Sequence, residues 1–352
     1  MDLLFSNYPP VETRCKTFAE AFYELIPEAT RLDIAVGYIS QDSIVELQKI
    51  IELNNNIRAV NLVIGMHYYS KFTRLQYDAA MDLNSFLRDS DMGSVSLVKA
   101  FQYHGKLYSY SNSDGAFAGI IGSSNLGAIV EGWPRQYESS LVLREQPVVG
   151  QMRSFIGDLV SRASCKIDDV EIHSFNEDNL VLDNPEYASR VSAERLAEII
   201  NKKTSTTFDI PIKPYEVSKH SNLNVYFGKG RKSKNGVVKP RHWYEVELIV
   251  PSRITQQKGY PIAQSENAEF TVITDDGWTF KCKVSGDYSK NFRSSGDLKI
   301  LGKWLKGRLE LAGALSTGGR VCRDTLNSYG RDTFTLTKTT EPDVWFLDFG
   351  VN

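Results

Sequence analysis

Two short, nearly uninterrupted apolar runs, residues 32–39 and 60–66, constrain this chain most. A strand without polar alternation is buried on both faces, as in a parallel sheet covered by helices. Between the runs, Ile44, Leu47, Ile50 and Ile51 recur at helical spacing over residues 43–53. Strands separated by a helical crossover imply α/β layers. The alternation continues with a helix over 72–87, strands over 95–101, 104–110, 116–121 and 139–143, and a closing helix over 148–160. Residues 166–213 are polar, begin acidic and end near Pro211 and Pro214, so they read as a linker with one helix over 192–201. From residue 214 onward β-formers dominate, at 225–227, 244–250, 270–274, 279–284, 333–337 and 344–349. One helix is expected over 298–311, and Asp276-Gly277 marks a hairpin turn. The expected organisation is an α/β domain over 1–165, a linker over 166–213 and a mainly-β small barrel over 214–352.

Charge is divided unequally along the 352 residues. The chain holds 41 Lys+Arg and 43 Asp+Glu, yet residues 214–352 hold 21 of the former and 15 of the latter. A basic C-terminal part beside an acidic N-terminal part places nucleic-acid affinity in the former. No apolar run reaches the roughly 18 residues of a membrane span. The start, Met1-Asp2-Leu3-Leu4-Phe5, lacks a signal peptide's basic and apolar regions. Cys15, Cys165, Cys282 and Cys322 are scattered without metal-binding spacing, which fits a cytoplasmic location.

One cluster carries chemistry. His104 and Lys106 lie two apart on an expected strand, where side chains at that spacing share a face. Gly122-Ser123-Ser124-Asn125 and then Glu138 follow. An imidazole can attack phosphorus or donate a proton, while an ammonium and an Asn amide can hold a phosphate. Glu138 can fix the tautomer of His104 through the far ring nitrogen. His67 also falls at a strand end, where a structural role is the commoner one.

In this order the residues resemble the phospholipase D superfamily, whose signature is His-x-Lys followed by Gly-Ser-x-Asn. The Asp that often follows the Lys is missing, since the chain reads Leu107-Tyr108-Ser109-Tyr110-Ser111. The restriction endonuclease branch typified by BfiI lacks it too. The superfamily's site uses two motifs and this chain holds one, so the resemblance implies a homodimer with His104 from each copy. One His104 would form a phosphohistidine and the other would act as acid and base. Lys106 and Asn125 would stabilise the transition state, and Ser123 would support the phosphate-binding turn. No metal and no other cofactor is implied.

The DNA contacts are expected in two loops. Residues 228–241 carry Lys229, Arg231, Lys232, Lys234, Asn235, Lys239 and Arg241 and no acid, followed by His242 and Trp243. Residues 286–297 carry Lys290, Asn291, Arg293, Ser294 and Ser295, which are phosphate- and base-contacting types. With residues 270–277 and 301–309, these stretches resemble the B-three-like pseudobarrel of NgoFVII- and NgoAVII-type restriction endonucleases, which grips DNA with two arms. The resemblance implies double-stranded DNA as partner and a cognate DNA methyltransferase; whether cleavage needs an ATP-dependent helicase stays open, and any such helicase would be a separate chain, since no Gly-x-x-x-x-Gly-Lys-Ser/Thr loop occurs here. Competing readings are a lipid phosphodiesterase of the same superfamily and a DNA-binding protein with a decayed nuclease site.

Overall fold

The computed structural model describes residues 1–130, 136–176, 187–263 and 269–351. It divides into two compact units, one of Met1–Asn179 with Lys229–Pro240, the other of Leu180–Gly228 with Arg241–Asn352.

The first unit is built on an eight-stranded sheet. Its strands are β1 (Asp2–Phe5), β2 (Arg31–Val36), β3 (Ala59–Ile64), β4 (Gly93–Val98), β5 (Leu107–Asn112), β6 (Gly115–Gly122), β7 (Ser139–Leu143) and β8 (Ser164–Lys166), in the order β1-β7-β6-β5-β2-β3-β4-β8. The two apolar runs became β2 and β3, which pair in parallel at the centre, with β4 parallel to β3. Helices α1 (Phe18–Leu25), α2 (Gln41–Leu53), α3 (His67–Ser70), α4 (Arg74–Asp89) and α5 (Gln146–Asp158) complete the layers. Capping boxes at Thr17 and Thr73 fix where α1 and α4 begin, each satisfying otherwise orphaned amide donors.

The second unit is mainly β. Its strands are β9 (Ala188–Arg190), β10 (Lys203–Pro211), β13 (Leu248–Ile249), β14 (Glu269–Thr274), β15 (Trp278–Ser285), β16 (Asn291–Ser294), β17 (Thr333–Thr339) and β18 (Val344–Asp348); β11 (Arg231–Lys232) and β12 (Val238–Lys239) form a separate hairpin grouped with the first unit. The sheet runs β10-β17-β18-β14-β15-β16-β13, with β9 against β15, and curls into a half-barrel. Helices α6 (Ala193–Asn201), α7 (Ser252–Thr255), α8 (Ile300–Leu311) and α9 (Arg323–Tyr329) complete it. Gly302 has a steric reason: a Cβ there would lie 1.8 Å from the Tyr244 carbonyl oxygen, so α8 can approach that backbone only without a side chain.

Several sequence expectations are corrected. Much of the expected linker is folded: β9, α6 and β10 belong to the second unit, and β10 pairs with β17 from Thr207 to Pro211. Residues 177–186 of that linker lie outside the described residues. The expected strand at 225–227 is a 3-10 turn, and 244–250 keeps only the two-residue β13. β5 begins at Leu107, so His104 and Lys106 precede it in an irregular segment. Among the described residues, no helix is long and apolar enough to cross a membrane.

Candidate active site and nucleic-acid interface

The C-terminal ends of β2 and β3 position the His104 segment. Gly65 accepts a hydrogen bond from the Tyr103 amide at 3.2 Å, and a Cβ on Gly65 would stand 2.0 Å from the Tyr103 carbonyl oxygen. Gly37 does the same for the next residue, since its Cβ would come within 3.0 Å of the His104 ring. Two bare backbones at adjacent strand ends thus let the loop lie flat on the sheet. Tyr38 meets the His104 ring edge-on at 5.8 Å.

His104 is exposed and Lys106 is buried. The Lys106 ammonium donates to the His104 carbonyl at 2.7 Å and lies 3.1 Å from its Nε2. Burial pushes the Lys106 pKa below the usual lysine value, and the negative charge of Glu138 opposes that shift. The strands therefore bring imidazole and ammonium together, although the strand face expected to do so begins one residue later.

The Gly122-Ser123-Ser124-Asn125 turn is tied to the same place. Tyr108 donates to the Ser124 carbonyl at 2.8 Å, and Ser124 and Ser140 hydroxyls are 3.0 Å apart. Asn125 Oδ1 accepts from the Tyr38 amide at 3.1 Å, which points the turn at the end of β2 and leaves the amide NH2 as its donor. Ser123 donates its hydroxyl proton to Glu138 and accepts from the Ser139 amide at 3.0 Å. Glu138 thus has Ser123 as its hydrogen-bond partner in place of the expected His104 ring, and it acts on Lys106 through charge.

His67 has a structural role. Its ring stacks on Phe72 at 4.5 Å, its Nε2 accepts from the Ile39 amide at 3.1 Å, and its Nδ1 donates to the Lys71 carbonyl at 3.1 Å. Burial lowers its pKa, consistent with a fixed neutral ring. Among the described residues no three His, Cys, Asp or Glu side chains group as a metal-ligand set.

The basic loop forms the β11–β12 hairpin. Asn54, at the end of α2, donates to the Val238 carbonyl at 3.1 Å and accepts from the Val238 amide at 3.0 Å. Lys239 lies 4.7 Å over the Tyr23 ring. Lys229, Arg231, Lys232, Lys234 and Asn235 are exposed along this hairpin.

Two residues expected to contact DNA beside it are engaged elsewhere. Arg241 makes bonds of 2.7–2.9 Å to Glu245 and a 2.7 Å bond to Glu247, which raise its already high pKa. Trp243 is fully buried; its indole donates to Glu310 at 3.0 Å and Lys306 stacks 3.6 Å from its ring. In the second loop, Ser294 and Ser295 are buried and donate to the Asp297 carbonyl and to Glu269. These four side chains are thus bonded within the fold.

What remains in that region is a basic ladder. Lys283 on β15 faces Arg293 on β16 in register, Lys281 lies two residues away on the same face, and Asn291 pairs with Ser285. Lys290 is half-buried, 3.5 Å from Asp287. Like charges directly opposite are unfavourable in a sheet, and Glu269 on β14, which pairs with Lys283 and comes within 3.8 Å of Lys281, offsets part of this one. The Arg293 Nε is buried without a hydrogen-bond partner. Tyr288 is 76% exposed at φ 56°, a strained conformation for a bulky residue at the tip of the loop. Sequence reading missed Lys281, Lys283 and Tyr288; the alternation of Lys281 and Lys283 with Cys282 and Val284 was the available signal.

Two family models match. The model of the NgoFVII restriction endonuclease N-terminal PLD domain covers residues 16–174, and that of the NgoFVII C-terminal B3-like DNA-binding domain covers 198–340. This chain belongs to the NgoFVII family of restriction endonucleases. Its N-terminal domain has the phospholipase D fold, and its curled C-terminal sheet is B-three-like. Similar solved structures include Nuc, a phospholipase D family member from Salmonella typhimurium, at 13% identity and a TM-score of 0.32, over 47% of this chain and 95% of that one. A phosphatidylserine synthase from Haemophilus influenzae matches at 15% and 0.34, over 52% of this chain and 42% of that one. A polyphosphate kinase from Porphyromonas gingivalis matches at 10% and 0.30, over 57% and 30%. The chain thus spans less than half the length of the latter two. No curated protein matches.

Proposed function

We propose that this chain is a sequence-specific DNA endonuclease that cleaves through a phosphohistidine on His104, without a metal ion. The observation that carries the reading is the buried Lys106 ammonium held 3.1 Å from the exposed His104 Nε2, beside the Asn125 turn. In the free site the ammonium bonds the attacking nitrogen. A scissile phosphate would take over the Lys106 protons and leave the Nε2 lone pair free to attack. As the N–P bond forms, the P–O bond to the leaving sugar oxygen breaks, and that oxygen takes a proton from a second imidazole. Water then attacks phosphorus and gives its proton to that imidazole while the N–P bond breaks. His104 of a second copy supplies the second imidazole, because the chain has one such motif. Lys106 and the Asn125 amide stabilise the developing charge, a role metal ions fill in two-metal nucleases. Ser123 holds Glu138, and Glu138 keeps Lys106 cationic.

Recognition belongs to the B-three-like unit together with the β11–β12 hairpin. Arg293, Lys281, Lys283, Lys290, Asn291 and Tyr288 form one contact set, and Lys229, Arg231, Lys232, Lys234 and Asn235 of the hairpin another. A methyltransferase protecting host sites is the partner this role calls for, and the cut itself needs no ATP-dependent chain.

Unmethylated plasmid incubated with the protein in EDTA tests the reading. Discrete fragments whose ends share one sequence relationship are expected, with cleavage abolished and DNA binding retained in His104→Ala. Activity lost in EDTA and restored by magnesium alone would sink the metal-free mechanism.

A further inference from the structure

On the α5 side of the first sheet lies a half-open cavity of about 360 Å³, walled by Arg31, Asp33, Ala116, Gly150, Arg153, Ser154 and Gly157. Around it the sheet face is otherwise apolar, with Ala35, Val63 and Leu143 packed under Val149, Met152 and Ile156 of α5. Gly150 and Gly157 stand two turns apart on that helix, and a Cβ added to either would meet nothing within 4 Å. The helix is therefore bare where larger residues could have filled the gap.

The polar groups of the wall are Arg31, Asp33, Arg153 and Ser154. Asp33 is 3% exposed and accepts from Arg31 at 2.7 and 2.9 Å and from Asn61 at 2.7 Å. Arg153 approaches the same carboxylate only to 3.8 Å, too far to use its donors. Two guanidiniums against one carboxylate leave one positive charge. Opposite Asp33 and Arg31 on β5 sit Ser109 and Ser111, each 1% exposed and behind the cavity wall. Ser111 pairs in turn with Ala116 of the cavity wall.

We propose that this cavity binds a small phosphate monoester, at a site separate from His104. A phosphate matches the fork of Arg153 and accepts from the Ser154 hydroxyl in the wall. The volume falls in the range of roughly 300–1,000 Å³ usual for small-molecule sites, so a bare phosphate would leave much of it empty and a mononucleotide suits it better. Arg31 lies six residues before Gly37, about 20 Å along the strand from the end that holds His104. The site therefore stands whether or not the nuclease reading does.

Calorimetric titration of the full chain with deoxyadenosine 5′-monophosphate, inorganic phosphate and deoxyadenosine tests it. Binding of one nucleotide per chain is expected, at least ten-fold tighter than phosphate, with deoxyadenosine silent. Arg153→Gln should weaken it at least ten-fold, and Gly157→Leu, which fills the gap from an exposed helical position, should abolish it. Lys106→Ala should leave it unchanged. No binding, nucleotide binding no tighter than phosphate, or binding lost in Lys106→Ala but kept in both cavity variants would overturn the proposal.

Discussion

Asn125 shows how a single side chain can divide its duties: its oxygen is fixed by the Tyr38 amide, which orients its NH2 as a donor. Removing one preorganised donor of this kind costs about 10²–10³ in rate. Asn125→Ala should therefore lower the cleavage rate by that factor with little change in DNA affinity, measured by single-turnover cleavage beside equilibrium binding. Arg293 and Trp243 separate reading from folding. Arg293→Ala should cost about 1–3 kcal/mol on the cognate duplex and much less on a scrambled one, measured by competition binding. Trp243→Ala should instead destabilise the fold by about 3–5 kcal/mol, measured by urea denaturation, because it empties a buried site. Equal loss of affinity for both duplexes in Arg293→Ala would make it a phosphate contact. Nothing in the sequence around Trp243 distinguishes these roles. An aromatic beside Arg241 in a basic stretch has the composition of a nucleic-acid contact, and only the facing Lys306 and Glu310, more than sixty residues later, make it core.

The same tertiary blindness operates on whole elements. β2 and β3 were legible because a doubly buried strand needs apolar residues throughout. β10 was not, since Thr204-Ser205-Thr206-Thr207 gives β propensity without an apolar face and reads as a polar connection. At the candidate site, residue types and order identified the cluster, but the partnership of Glu138 with Ser123 depends on the β6–β7 register, which places Gly122 opposite Ser140. Helix α8 carries a testable consequence of burial. Lys306 and Glu310 are one turn apart and buried, and burial pushes the first down to about 7 and the second up to about 7. A lysine with a depressed folded pKa contributes stability that is present above its unfolded value of about 10.4 and lost as pH falls through about 7. Glu310 contributes in the opposite sense, losing its stabilisation as pH rises from about 4.3 through about 7. Above neutrality the Lys306 slope is left alone. Between pH 7 and 8.5 the melting temperature of the native chain should therefore rise relative to that of Lys306→Met; parallel curves would show that Lys306 titrates as an ordinary lysine.

At the scale of the whole molecule, the account requires two copies. In the proposed mechanism one His104 supplies the covalent bond and the other the proton, so a single chain would hold half a site. Sedimentation should find a dimer at concentrations where the protein cleaves, and an active monomer would refute this arrangement. The central claim is the phosphohistidine itself. Its most direct test is to quench a cleavage reaction on DNA labelled with ³²P at the scissile phosphate, under denaturing conditions at alkaline pH. The account predicts label covalently attached to the chain, released by mild acid as expected of a phosphoramidate, at one phosphate per two chains, and none in His104→Ala. Cleavage proceeding at full rate with no labelled protein at any time point would contradict it.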